Sequence, residues 1–252
     1  MTDQFSRSRL MYGDSGMDAL SYAHVAVFGI GGVGSYVAEA LVRTGIGSLD
    51  LIDHDTIDIT NLNRQIIATH STLGKSKVEA AKQRFKDINP SCRIATYDCF
   101  YEPETADQFD LSQYDYVIDA VDTVTAKLEL ITRSLEAGVP IISAMGAGNK
   151  TDPTALQIAD ISKTSVCPLA RIMRKELRKR GIAHVKVCFS TEPPIEQKSK
   201  SDISASTQNI NKAEQVIPNR RSTPGSNAFV PAAMGLALAA EVVKDLIAAG
   251  NQ

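Results

Sequence analysis

The sequence predicts an α/β fold: a Rossmann-like, doubly wound and mainly parallel sheet, with an appended C-terminal β/helical extension. Three observations carry that prediction. Short apolar runs alternate with helical patterns over the first 150 residues, the arrangement expected of βαβ units. The first run, "HVAVFGI" (24–30), leads into Gly29-Ile30-Gly31-Gly32-Val33-Gly34, a dinucleotide fingerprint placed between a strand and a helix. Asp53 closes the second run nineteen residues after Gly34, where a carboxylate accepts hydrogen bonds from a ribose.

The elements follow in order. A helical pattern from Val33 to Thr44 succeeds the glycine loop, and "SLDLID" (48–53) is the next strand. A charged helix covers Lys75 to Ile88, stopped by Asn89-Pro90. Strands are expected at "CRIATYD" (92–98), "YVIDAV" (116–121) and "PIISAMG" (140–146). A helix from Val124 to Ala137, closed by Gly138, separates the last two. Beyond Gly146, "TALQIADIS" (154–162) reads as an outer strand and "HVKVCFS" (184–190) as another. Between them Pro168 to Arg180 is a basic helix, with Ile172, Met173 and Leu177 as its buried stripe. Ile195 to Ser226 is polar and aperiodic, which suits a functional flap or a segment disordered when unoccupied. A closing apolar helix lies within 227–250. Residues 1–160 are expected to form the nucleotide-binding domain, and 161–252 the C-terminal part of the same fold.

The bulk chemistry excludes several classes. With 43% hydrophobic and 22% charged residues and a net charge of −2, the chain reads as an ordinary globular protein, so a nucleic-acid partner needs a local basic patch. No charged-then-apolar leader opens it, and no apolar run approaches the roughly 20 residues of a membrane span. A cytoplasmic location is expected. Cys92, Cys99, Cys167 and Cys188 include no C-x-x-C pair, so no structural zinc is expected and the thiols read as reduced. Gly74-Lys75-Ser76 is not a phosphate loop, because Thr69 stands where that motif needs its first glycine.

In the glycine loop, Gly29 permits the tight turn, Gly31 and Gly32 let the backbone approach phosphate oxygens, and Gly34 permits close helix–sheet packing. Alone, the loop and Asp53 suit a nicotinamide enzyme. The residues that follow do not. Arg64 stands eleven positions after Asp53, in Asn61-Leu62-Asn63-Arg64-Gln65, Lys77 thirteen later, and Asp122 just past the fourth strand. Taken singly, Arg64 suits a surface ion pair, Lys77 a solvated helix face and Asp122 a helix N-cap. Together they suit triphosphate chemistry: two cations neutralise charge developing at the α-phosphate and the departing pyrophosphate, and a carboxylate helps hold magnesium.

In "GIGGVG", "LIDHDTIDITNLNRQ", "GKSKVEAA" and "VIDAVDT" the sequence resembles the adenylating enzymes related to ThiF, MoeB and the ubiquitin-activating enzymes. The resemblance implies an ATP-binding, ThiF-type domain over about residues 1–160 and a homodimer. Gly31 would face phosphate and Asp53 the ribose. Arg64 and Lys77 would bind the phosphates, and Asp122 would sit near magnesium and the reacting centre. Asp55 and Asn61 would also face the nucleotide. Arg7, with Arg9 as the fallback, matches an arginine that reaches into the neighbouring subunit's site.

Five further segments, "RTGIGSLDLIDHD", "SAMGAGNKTDPT", "IADISKT", "CFSTEPP" and "SNAFVPAAMGL", are similar to a narrower branch, the tRNA threonylcarbamoyladenosine dehydratases. That likeness implies ATP-dependent activation of the threonylcarbamoyl carboxylate beside the anticodon, then ring closure with net loss of water. The nucleophile belongs to the substrate, so neither zinc nor a protein cysteine is needed. Partners would be tRNA, a second copy of the chain and, as a further option, a sulfur acceptor linked to a cysteine desulfurase. Arg171, Arg174, Lys175, Arg178, Lys179 and Arg180 crowd one helix and suit an RNA backbone, with Lys186 and Arg220-Arg221 as additions; a solvated amphipathic face accounts for the helix equally. Alternatives to the dehydratase are adenylation of the C-terminal glycine of a ubiquitin-like or sulfur-carrier protein, a nicotinamide oxidoreductase, and a non-catalytic nucleotide-binding adaptor.

Overall fold

A computed structural model describes residues 3–196 and 224–250. Its first element, helix α1 (Ser6–Tyr22), has no counterpart in the sequence pattern. It bends at Gly13 (φ 69°) and buries only Gly16, Met17 and Leu20, so its apolar periodicity is too sparse to announce a helix.

Strands β1 (His24–Phe28), β2 (Ser48–Ile52), β3 (Arg93–Tyr97), β4 (Tyr116–Asp119), β5 (Ile141–Ala144), β6 (Leu156–Asp160) and β7 (Lys186–Ser190) form one sheet in the order β3-β2-β1-β4-β5-β7-β6. Neighbours are parallel, with Ala26 level with Asp50 on one side and Val117 on the other. The exception is β6, the anticipated outer strand, which runs antiparallel to β7 with Leu156 opposite Ser190. Between strands lie α2 (Gly34–Thr44), α3 (Lys77–Ile88), α4 (Val124–Glu136) and α5 (Pro168–Lys179), and α6 (Val230–Gly250) closes the chain. Helix α2 stops at Gly45, whose φ of 99° is the left-handed conformation that ends helices.

Because side chains alternate across a strand, the parallel strands feed two cores. Val25, Val27, Leu49 and Leu51 face one way, packed with Leu41 of α2, Phe85 of α3 and Leu238 of α6. Ala26, Phe28, Ile52 and Val117 face the other, against Leu130 of α4 and Met173 of α5. Burial on both faces explains why these strands read as continuous apolar runs. On α5 the buried stripe is Ala170, Met173 and Leu177, the i, i+3, i+7 set of one face. Ile172 lies off that face and is 48% exposed, which corrects its assignment to the stripe.

The aperiodic stretch 195–226 lies, from 197 to 223, outside the described residues. Strand order reverses between β1 and β4. At such a switch point the connections leave in opposite directions and a crevice opens beyond the strands' carboxyl ends.

Candidate active site

A cleft of about 670 Å³ opens at that switch point. Gly29, Gly31, Gly32, Asp53, Asp55, Asn61, Arg64, Lys77 and Asp122 all line it, although they come from separate stretches of chain. Gly29 has a φ of 89°, and a Cβ there would sit 2.6 Å from the carbonyl oxygen of Ala120. Only glycine fits that approach of the β1 and β4 loops. Gly34 lies behind the cleft, where a Cβ would sit 1.8 Å from the Gly29 carbonyl; it seats α2 against the loop. At Gly31 the space is open, with Gln65 Nε2 3.9 Å from an added Cβ. No side chain caps α2; the Ser35 and Tyr36 amides turn back to the Gly31 and Val33 carbonyls, and the N-terminus of the helix points its dipole at the cleft.

The polar side chains are held by short-range bonds. Asp53 accepts from the Ile30 amide at 2.6 Å and the Asp55 amide at 2.9 Å, which fixes the carboxylate at the end of β2. Lys77 opens α3 and is 5% exposed. Its Nζ lies 2.5 Å from Asp55 Oδ2 and 3.7 Å from Asp53 Oδ1. A solvated helix face does not describe it. Asn61 accepts from the Asp58 amide at 3.0 Å within a short 3-10 turn. Arg64 donates from Nη1 to the Thr60 carbonyl at 2.8 Å and to Asn63 Oδ1 at 3.1 Å, so among the described residues it forms no ion pair. Asp122 is exposed to the cleft and has no partner among the described residues. The N-cap of α4 is Thr123, so capping does not account for Asp122. Arg7 is exposed on α1 and does not line this cleft.

Sequence reasoning missed three residues here. Gln65 Oε1 and the Tyr101 hydroxyl are buried without a hydrogen-bond partner, and both residues line the cleft. A buried orphan of this kind costs about 1–3 kcal/mol, and burial pushes the Tyr101 phenol up from its ordinary value. The third is Lys127, 1% exposed, whose Nζ donates to both oxygens of Asp119 at 3.1 Å and to the Ala144 carbonyl at 2.7 Å. Gln65 ends the quoted "NLNRQ" and was within reach. Tyr101 and Lys127 sit in ordinary loop and helix patterns.

The opposite wall is formed by Met145 to Gly148 after β5, Leu169 at the start of α5, and Pro224, Ser226 and Pro231. Asn149 (φ 58°) knots this wall together. Its amide donates to the Gly225 carbonyl at 2.8 Å, its Oδ1 accepts from the Gly225 amide at 2.6 Å, and its carbonyl accepts from the Ile195 amide at 2.7 Å. Asn63 Nδ2 donates to the Ser226 carbonyl at 3.0 Å, joining this wall to the arginine turn.

Of the four thiols, Cys99 lines the cleft, and burial pushes it up from its ordinary value. Burial pushes Cys92 up to about 11 and Cys188 up to about 12, which leaves both as inert thiols, and Cys167 is buried. Among the described residues, the group with metal-ligand spacing is Asp53, His54 and Asp55, and it contains no cysteine. Lys186 does not add to a basic surface: its Nζ lies 2.9 Å from Glu241 and 2.7 Å from Asp245.

The model of the ThiF family matches residues 5–252. The chain belongs to the ThiF family. Within it, this ThiF-family chain is 47% identical over 248 residues to the tRNA threonylcarbamoyladenosine dehydratase of Bacillus subtilis, covering 98% of this chain and 96% of the relative. Its identity to the Escherichia coli protein of the same name is 36%, covering 97% and 94%. The solved structure of the E. coli enzyme TcdA in complex with AMP matches with a TM-score of 0.85 at 34% identity, covering 99% of this chain and 96% of that one. A complex of TcdA with ATP matches at 0.84.

Proposed function

We propose that this protein is an ATP-dependent tRNA threonylcarbamoyladenosine dehydratase. The observation that carries the reading is the convergence of the glycine loop, Asp53, Arg64, Lys77 and Asp122 on one cleft, in a chain that matches the B. subtilis dehydratase from end to end. The cleft fits a nucleoside triphosphate: an open glycine backbone at the N-terminus of α2 for phosphate, a carboxylate fixed at the end of β2 for ribose, and two cations beyond it.

The chemistry then follows from charge. A carboxylate of the threonylcarbamoyl group attacks the α-phosphorus of ATP, and pyrophosphate leaves. Arg64 and Lys77 stabilise the charge that develops on the phosphoryl oxygens, a job typically worth about 2–4 kcal/mol per donor. The activated acyl carbon is next attacked by a nucleophile within the same side chain, which gives up its proton; the acyl C–O bond breaks and AMP departs carrying that oxygen, so the nucleoside has lost the elements of one water. Lys77 already leans on Asp55 at 2.5 Å, so triphosphate exchanges one anionic partner for another. Asp122 fits a hard cation, being an exposed carboxylate without a partner among the described residues. Magnesium bound there with the phosphates would supply further neutralisation of the leaving group.

Three finer assignments belong to the same reading. Helix α5 starts at the cleft with Leu169 and carries Arg171, Lys175 and Arg178 without acidic partners among the described residues, whereas Lys179 and Arg180 pair with Glu176. We assign these three to the tRNA backbone; Arg220 and Arg221 lie outside the described residues. The protein acts as a homodimer in which Arg7 serves the partner's site. Exposed Leu10 and Met11 on α1, Phe229 just before α6 and Leu236 on it support it, since α1 packs against α6. The nucleotide-binding domain spans 1–160, in the cytoplasm where tRNA is modified; no helix among the described residues is long and apolar enough to cross a membrane. The deciding experiment mixes the purified protein with ATP, magnesium and tRNA carrying threonylcarbamoyladenosine. The nucleoside mass should fall by one water, and an unchanged mass would overturn the reading.

A further inference from the structure

Lys127 lines the cleft yet has nothing left to give a ligand. Its three ammonium protons are taken by Asp119 Oδ1, Asp119 Oδ2 and the Ala144 carbonyl. Asp119, fully buried, also accepts from Ser143 Oγ at 2.5 Å and from the Val121 amide at 3.2 Å. The network therefore holds three positions at once. Asp119 ends β4, Ser143 and Ala144 end β5, and Lys127 lies in the first turn and a half of α4. The four residues between Asp119 and α4, Ala120 to Thr123, make the loop that carries Asp122, and the same ion pair clamps both ends of that loop. A hydrophobic pair of equal volume would fill the space but would leave the Val121 amide and the Ala144 carbonyl without partners.

We propose that Lys127, through Asp119 and Ser143, is a positioning residue for Asp122: it fixes the β4–α4 loop against the end of β5 so that the exposed carboxylate keeps its place across the cleft from Arg64 and Lys77. This rests on the proposed reading of the cleft as an ATP site. It separates the duties of the two walls. The residues assigned to phosphate and ribose are held by bonds outside this network, so the network governs the chemical step and not nucleotide affinity.

The test compares Lys127→Met, Asp122→Ala and the double variant, following both ATP affinity by titration and the rate of nucleoside dehydration. Lys127→Met should lower kcat about 10²-fold, the cost of a small misplacement, with the KM for ATP changed less than threefold. The double variant should be no slower than Asp122→Ala alone, because the lysine acts through that carboxylate. Single effects that multiply in the double variant, or a KM for ATP that rises as much as kcat falls, would overturn the proposal. Should Lys127→Met not fold, Ser143→Ala keeps the ion pair and removes one bond. It should then lower kcat by about 3- to 10-fold at unchanged KM, and an unchanged kcat would overturn the proposal. Full rate in Asp122→Ala, or no ATP-dependent mass loss with wild type, would instead strike the reading of the cleft itself.

Discussion

The two walls of the cleft are built by different means. On the wall of β1, β2 and α3 the charged groups sit at the cleft itself: Arg64 is steadied by Thr60 and Asn63, and Lys77 by Asp55 across 22 residues. On the wall of β4, β5 and α5 the charged pair, Asp119 and Lys127, is buried and satisfied within its own network. The first wall can exchange its partners for a ligand's charge, whereas the second holds its loops in place.

That contrast can be broken by mutation. Arg64→Ala should have the largest effect, lowering kcat/KM by about 10²–10³-fold if the arginine serves the transition state; steady-state assays with saturating tRNA would read it. Gly34→Ala should come next, through the fold: a Cβ 1.8 Å from the Gly29 carbonyl forces α2 off the loop, and a loss of about 1–3 kcal/mol or more is expected in denaturant melts. Replacing Arg171, Lys175 and Arg178 together by Gln should leave ATP binding intact and flatten the salt dependence of tRNA binding by about two to three in slope. An unaltered slope would return α5 to a plain solvated face. The smallest effect concerns Glu39, remote from the cleft. Burial pushes its carboxyl up, but Arg84 at 2.6 Å and Arg43 at 2.8 Å outweigh that and hold it below its ordinary value of 4.5. The stabilisation is therefore present above that value and is lost as the pH falls through the depressed one. Glu39→Gln should cost about 1 kcal/mol at neutral pH, and nothing once the acid is protonated, in melts at both pH values.

The legibility of the molecule follows the same division. The central strands were readable because parallel strands buried on both faces are mostly apolar, and the first wall was readable because its chemistry lies in short motifs, each following a strand. Helix α1 was not, since Gly13 interrupts a segment with few buried side chains. Ile172 misled because a cluster of apolar letters names a neighbourhood, and only the angular spacing of Ala170, Met173 and Leu177 names the face. Lys186 looked like a free cation until the fold brought Glu241 and Asp245 to it. Lys127 was hidden for the same reason: β4–β5 pairing supplies its partners, and no spacing along the chain encodes that.

Asn149 has a consequence for how this protein family can vary. Ile195 and Gly225 are both tied to it, so the chain that departs after one returns at the other like a stitch through a single eyelet. Position 149 is therefore one that asparagine suits twice over, by tolerating the left-handed conformation and by offering an amide oxygen to the Gly225 amide. A β-branched residue there would lose both at once.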